Sequence, residues 1–219
     1  MIELLYGRHP VREALLTGRR VFHRLLLAQD LRERGVVAEI IALARGRGVP
    51  LQRVSRKELD RLGVNHQGVA AEVSPYPYVD WREMLSLAQA RGEQPLLLLL
   101  DLLQDPQNVG TLLRTAEAVG VHGVILQERR AVGITPAVVS SSAGAVEHLL
   151  VARVTNLVRT MEALKEAGLW LVGLENLPEA QPYDEVELDM ERGLVVGSEG
   201  RGMRRLVRET CGLLLRIAT

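Results

Sequence analysis

The run Leu96 to Leu100, closed by Asp101 and followed by Asp105-Pro106-Gln107-Asn108-Val109-Gly110-Thr111-Leu112-Leu113-Arg114, limits this chain's fold more than any other stretch. Five consecutive leucines bounded by turn residues read as a strand buried on both faces, as in parallel sheets. The Pro/Asn/Gly turn and the helical spacing after it read as the loop and helix of a βα unit, with Arg114 on that helix turned toward the interior. α/β enzymes present their reactive groups at this place, the carboxyl end of a strand. A second loop of similar kind, Val195-Val196-Gly197-Ser198-Glu199-Gly200-Arg201-Gly202-Met203, follows another apolar run.

From Leu96 onward the pattern repeats. Strands are expected at 96–100, 121–126, 149–154, 169–174, 194–196 and 213–217, with helices at 109–119, 136–146, 157–167 and 203–211. Thr135-Pro136 and Thr155-Asn156 are helix-start signals, and Gly120 and Gly168 are stop signals. Alternating strands and helices imply a parallel sheet covered on both faces. Before Leu96 the reading is a small mixed α/β unit, with helices at 7–16 and 36–44 and strands at 24–28, 49–54 and 68–73. Ser55-Arg56-Lys57-Glu58 has capping-box form. The two prolines of Ser74-Pro75-Tyr76-Pro77-Tyr78 forbid regular helix, so a first domain is expected over 1–74, a linker with a helix from Val79 over 75–95, and a second domain over 96–219.

Charge divides at the same place. Residues 1–74 hold 13 Lys/Arg against 8 Asp/Glu, whereas the remainder holds 14 against 19, although the whole chain is neutral. A basic module joined to an acidic one fits contact with a polyanion, through Arg8, Arg45, Arg47, Arg53 and Arg56; plain solubilisation accounts for the charge equally well. With aromatics at 3%, a base-stacking platform is disfavoured. A single cysteine, Cys211, excludes an internal disulfide and a cysteine-rich zinc site, and His9, His23, His66, His122 and His148 show no metal-ligand spacing. The N-terminus lacks signal-peptide form and the longest apolar run is too short to span a bilayer, so no membrane and a cytoplasmic location are expected.

Chemistry concentrates in the two loops. Asn108 would cap a helix starting at Val109, with Gly110 and Thr111 leaving room for another chain or a ligand; a plain cap and a solvated Arg114 fit as well. The loop from Gly197 to Gly202 lacks the glycine order of a dinucleotide fingerprint, the Lys-Ser/Thr of a P-loop and the G-x-S-x-G of a nucleophile elbow. A glycine-rich loop able to meet a flat ligand remains, beside the simpler reading of a tight turn.

Taken together, these segments resemble the SpoU (TrmH) family of RNA ribose 2′-O-methyltransferases. Asn108 to Arg114 is similar to the family's first motif, N-x-G-x-x-x-R, and Val195 to Met203 to its second. Gly7-Arg8-His9-Pro10-Val11, His66-Gln67-Gly68-Val69, Ser142-Ala143-Gly144-Ala145 and Thr155-Asn156-Leu157 resemble the branch that methylates a guanosine of 23S rRNA. The resemblance implies an L30e-like, RNA-binding N-terminal α/β domain and a mostly parallel, trefoil-knotted (SPOUT-type) domain that binds S-adenosylmethionine and works as a homodimer without metal. It implies catalysis by Arg114 with Asn108 and Glu199, and a cofactor pocket lined by Leu174, Gly197, Ser198 and Ile217. The family's third motif, with an S-L-N-V core, is absent before Thr219. The expectation is that a tail carrying it lies outside the sequence, and that the 219-residue chain binds the cofactor poorly without it.

Overall fold

The computed structural model describes residues 1–217. Two compact units emerge, and they do not follow chain order. The first takes Met1–Pro77, Pro106–Thr115 and Ile134–His148; the second takes Tyr78–Asp105, Ala116–Gly133 and Leu149 onward. The 74/75 boundary expected from the prolines thus misses two excursions that return to the first unit.

In the first unit β1 (Glu3–Tyr6), β4 (Val69–Val73), β2 (Phe22–Ala28) and β3 (Leu51–Val54) form a sheet in that order. The β1/β4 and β4/β2 pairs are antiparallel and β2/β3 is parallel. β1 is absent from the sequence expectation because four residues are too few to show alternation. Helix α1 (Arg8–Thr17) buries Val11, Ala14 and Leu15, and Gly18 ends it in the left-handed conformation. Helix α2 (Val36–Gly46) buries Val37, Ile40, Ile41 and Ala44 at helical spacing. Ser55 accepts the Glu58 amide as its capping box requires, but the helix behind it, α3 (Arg56–Asp60), lasts only five residues.

The span 136–146 is not one helix. Helix α6 (Pro136–Ser141), capped by Thr135, stops before Ala143 and Gly144, both at positive φ, and a 3₁₀ turn follows at Ala145–His148. The turn is needed because Gly144 lies on α1, where an added Cβ would come within 2.8 Å of Glu13 Cβ. A buried ion pair fixes this segment: Arg20 meets Glu147 at 2.8 Å with both side chains wholly buried, and also binds Glu3 and the Ser74 carbonyl. Burial pushes the Glu147 carboxyl above its ordinary value while Arg20 pulls it down. Tyr76 donates to the Val146 carbonyl at 3.0 Å beside it.

The second unit is a seven-stranded, wholly parallel sheet in the order β7-β6-β5-β10-β8-β11-β9. Its strands are β5 (Leu96–Asp101), β6 (Gly123–Gln127), β7 (Val151–Val154), β8 (Trp170–Leu174), β9 (Gln181–Pro182), β10 (Arg192–Gly197) and β11 (Leu213–Arg216). Only β9, two residues in a polar stretch, went unforeseen. Helices α4 (Arg82–Arg91), α7 (Leu157–Glu166) and α8 (Arg205–Thr210) accompany the sheet, and Asn156 caps α7 through the Arg159 amide. Met84, Leu97, Leu99, Ile125, Met161 and Val195 centre its core. No helix among the described residues is long and apolar enough to cross a membrane.

Removing one member of a wholly buried pair leaves the other charge unpaired, which costs about 3–5 kcal/mol. Glu147→Ala is therefore expected to lower the urea midpoint by that equivalent, and an unchanged midpoint would remove the pair from the account of the first unit.

Candidate active site

The strand order places a switch point between β5 and β10. From β5 the chain moves outward to β6 and β7, then crosses to β8 on the other side of β10. Ligand crevices of open parallel sheets form beyond the carboxyl ends of strands at such a point. Here those ends are Asp101 and Gly197, which are register partners.

Asp101 is a buried carboxylate that the sequence reading noted only as the end of an apolar run. Its Oδ2 accepts the Arg204 amide at 2.8 Å, and its Oδ1 accepts Arg204 Nε at 2.9 Å and Gln127 Nε2 at 3.0 Å. Gln127, also buried, ends β6. Two strand ends, those of β5 and β6, and the start of α8 thus share one carboxylate. Leu102, directly after it, holds a left-handed φ of 58°, unusual for a residue with a branched side chain.

The glycine loop leaves β10 beside Asp101 and returns to it. Ser198 N–H donates to the Gly202 carbonyl at 3.1 Å and Gly202 N–H to the Ser198 carbonyl at 2.9 Å, closing a tight hairpin. A Cβ on Gly197 would overlap the Gly202 carbonyl carbon and the Met203 nitrogen, so no other residue fits there. The amides of Glu199, Gly200 and Arg201 at the tip make no hydrogen bond among the described residues, and Glu199 is exposed. Ser198, expected to face a cofactor, spends its amide on the hairpin. Leu174 is half-buried at the end of β8, paired with Leu215 of β11, and Ile217, two residues on, is 55% exposed. Glu175 follows Leu174, and its buried Oε2 accepts no hydrogen bond, with Arg208 Nη1 3.8 Å away.

The first motif differs from expectation in two respects. Helix α5 (Pro106–Ala118) begins at Pro106, so Asn108 is its third residue and not its cap. Proline suits the first helical position, where its missing N–H would be unpaired anyway. Arg114 points outward and is exposed. The close approach at Gly110 is made by this chain's own α6: a Cβ there would overlap Ser141 Oγ and lie 2.8 Å from the Ser142 amide, and Ser141 Oγ donates to the Pro106 carbonyl at 2.8 Å. The motif glycine therefore seats the helix that carries Arg114.

Cys211 is no nucleophile. Burial pushes its thiol up to about 12, with Glu175 and Asp101 adding to the effect and Lys165 opposing it. The described residues contain no cluster of His, Cys, Asp or Glu able to hold a metal.

With the two loops placed, likeness to known proteins becomes informative. Residues 95–219 match the SpoU rRNA methylase family model, and residues 4–79 match the model for RNA 2′-O ribose methyltransferase substrate binding. The chain belongs to the SpoU/TrmH family of RNA methyltransferases. A putative TrmH-family tRNA/rRNA methyltransferase of Bacillus subtilis is 41% identical over 98% of this chain and 86% of its own length. A putative TrmH-family tRNA/rRNA methyltransferase of Staphylococcus saprophyticus is 41% identical over 98% and 85%. Among solved structures, the SpoU methyltransferase AviRb from Streptomyces viridochromogenes in complex with AdoMet covers the whole chain at a TM-score of 0.80, with 24% identity and 81% of that chain aligned. A putative TrmH-family RNA methyltransferase from Porphyromonas gingivalis reaches 0.74 at 26% identity, over all of this chain and 80% of that one.

Two outcomes test this geometry. Gly110→Ala forces α5 off Ser141, and overpacking of this kind costs about 1–3 kcal/mol; the melting temperature should fall, and an unchanged one would mean the contact yields freely. Alkylation of Cys211 in the native chain at pH 8 should be about 10³-fold slower than that of a free cysteine, and a rate equal to the free thiol would show the site to be open.

Proposed function

We propose that this protein transfers a methyl group from S-adenosylmethionine to a ribose 2′-hydroxyl of RNA, its target a guanosine of 23S rRNA. The observation that carries the reading is the glycine hairpin set beside Asp101 at the switch point, in a chain that matches both family models in order. When bound, S-adenosylmethionine supplies an electrophilic methyl group. The residues suit such a ligand: three tip amides without a hydrogen bond among the described residues, a glycine crossing that admits no side chain, and the apolar Leu174, paired with Val196 at the hairpin's root, with Ile217 two residues past its other partner Leu215. Leu174, Gly197, Ser198 and Ile217 would hold it, Ser198 by keeping the hairpin closed.

Arg114 would act on the RNA. A guanidinium stays protonated and serves poorly as a base. It holds the adjoining phosphate and stabilises the alkoxide that develops as the 2′-hydroxyl loses its proton. Asn108, on the same helix, and Glu199 would orient Arg114 and the substrate. The family resemblance further supports a homodimer, a trefoil knot in the domain over 96–219 and an RNA-binding domain over 1–74. A second reading, 2′-O-methylation of a tRNA, has support in the relatives' description as tRNA/rRNA methyltransferases.

The test is transfer of labelled methyl from S-adenosylmethionine to unmodified RNA by the full gene product, followed by digestion to nucleosides. Label in 2′-O-methylguanosine from rRNA is expected; label from tRNA supports the second reading. Label on a base overturns the ribose assignment, and none at all, with RNA still bound, leaves a binding protein. Arg114→Ala should slow transfer by about 10²–10³-fold, the usual effect of losing a group that stabilises developing charge. Folding should be unaffected, and a retained rate would take Arg114 out of the mechanism.

A further inference from the structure

Basic residues of the first unit fall into separate places once folded. At the carboxyl end of α2, Arg47 donates to the Leu16 carbonyl at 3.1 Å, beside Gly18. Arg53 is spent on Glu33 and on the Ala28 carbonyl. At the opposite end of α2, a depression of about 560 Å³ is lined by Arg8, His9, Val36, Arg56 and Gln67. A second of about 260 Å³ shares Arg8 and Arg56 with it and adds Arg32 and Arg34.

We infer that this double cleft is where the first unit grips the sugar-phosphate backbone of its RNA, through the guanidinium groups of Arg8, Arg32, Arg34 and Arg56. The inference rests on the RNA-methyltransferase reading and gives it a location. Among the lining residues the only carboxylate is Asp30, which binds Arg56 at 2.8 Å, so four cations face one anion. Arg32 and Arg34 have no side-chain partner among the described residues. No Phe, Tyr or Trp is among the lining residues, and His9 is the one ring there, so the cleft offers mainly charge to phosphates.

The cleft is also built. Gln67 takes the Arg8 amide on its Oε1 at 3.2 Å and Arg8 Nε on its backbone carbonyl at 3.1 Å, which holds the exposed guanidinium at Nε and leaves both Nη groups without a hydrogen bond among the described residues. To do so Gln67 adopts a left-handed φ of 52°. That strain is held by the buried His66, whose Nδ1 accepts the Gly68 amide at 2.9 Å, so its Nε2 carries the proton donated to Asp60 at 2.9 Å. Strained backbone fixed by a buried clamp is found where position matters. Helix α2 starts on Gly35 without a side-chain cap, which adds partial positive charge to the Val36 side of the cleft.

The experiment is the salt dependence of RNA binding by the full gene product, with a mixed-sequence RNA hairpin as probe. Each phosphate contact contributes about 0.7–0.9 to the slope of log affinity against log salt. The double variant R32Q/R34Q should lower the slope by about 1.4–1.8 and weaken binding at low salt, while R32K/R34K should retain both and R91Q, at an exposed position of α4, should leave the wild-type values. An unchanged slope in R32Q/R34Q, or an equal loss per charge in R91Q, would overturn the cleft while leaving RNA binding standing. Absence of salt-dependent RNA binding in the wild type would overturn the cleft and the RNA reading together.

Discussion

One carboxylate organises the carboxyl ends of the central strands in the second unit. Asp101 ends β5, faces Gly197 across the ladder, and receives the backbone and side chain of Arg204 as well as Gln127. A buried carboxylate must find donors, because desolvating it unpaired is costly. Here the donors are Gln127 at the end of β6 and Arg204 beyond the glycine hairpin: the loop departs from Gly197, the register partner of Asp101, and is held by that carboxylate again at Arg204, six residues after the hairpin begins to close. The unpaired amides at the tip are thus held at a fixed place by bonds made several residues away. Protein sites hold dipoles ready in this manner, so that a ligand meets donors that need not reorganise.

The first unit depends on a different interaction. The Arg20–Glu147 pair and the contact of Gly144 with α1 draw residues 134–148, which lie deep in the methyltransferase half of the sequence, onto the N-terminal sheet's unit. Gly110 then seats α5 on α6. Two of the family's motif glycines therefore serve packing of this chain against itself, while Gly197 serves the hairpin. A motif glycine need not touch a ligand to be indispensable to the site.

Much of the parallel sheet was legible because its strands are short apolar runs separated by Gly, Pro and Asn, and caps at Thr135 and Asn156 were readable from one residue each. What escaped was non-local. Asp101 looked like an interruption of a leucine run, since nothing in its neighbourhood announces Arg204. The start of α5 was misplaced because Asn108 is a good cap in isolation, whereas Pro106 two residues earlier is a better first residue. The arginines counted as one basic surface divide because Arg47 and Arg53 satisfy carbonyls and Glu33, while Arg32 and Arg34, unremarkable among their neighbours in sequence, have no side-chain partner among the described residues.

Asp101 anchors the chain just beyond the glycine hairpin, and amide hydrogen exchange reads its hold directly. In Asp101→Asn, the Ser198 and Gly202 amides should exchange roughly ten- to a hundredfold faster than in the wild type, matching the loss of about 1.5–3 kcal/mol from a charged hydrogen-bond set. The amides of the β5 core should keep their protection. Equal exchange at Ser198 and Gly202 in the two proteins would show that the hairpin closes without Asp101, and would contradict the account.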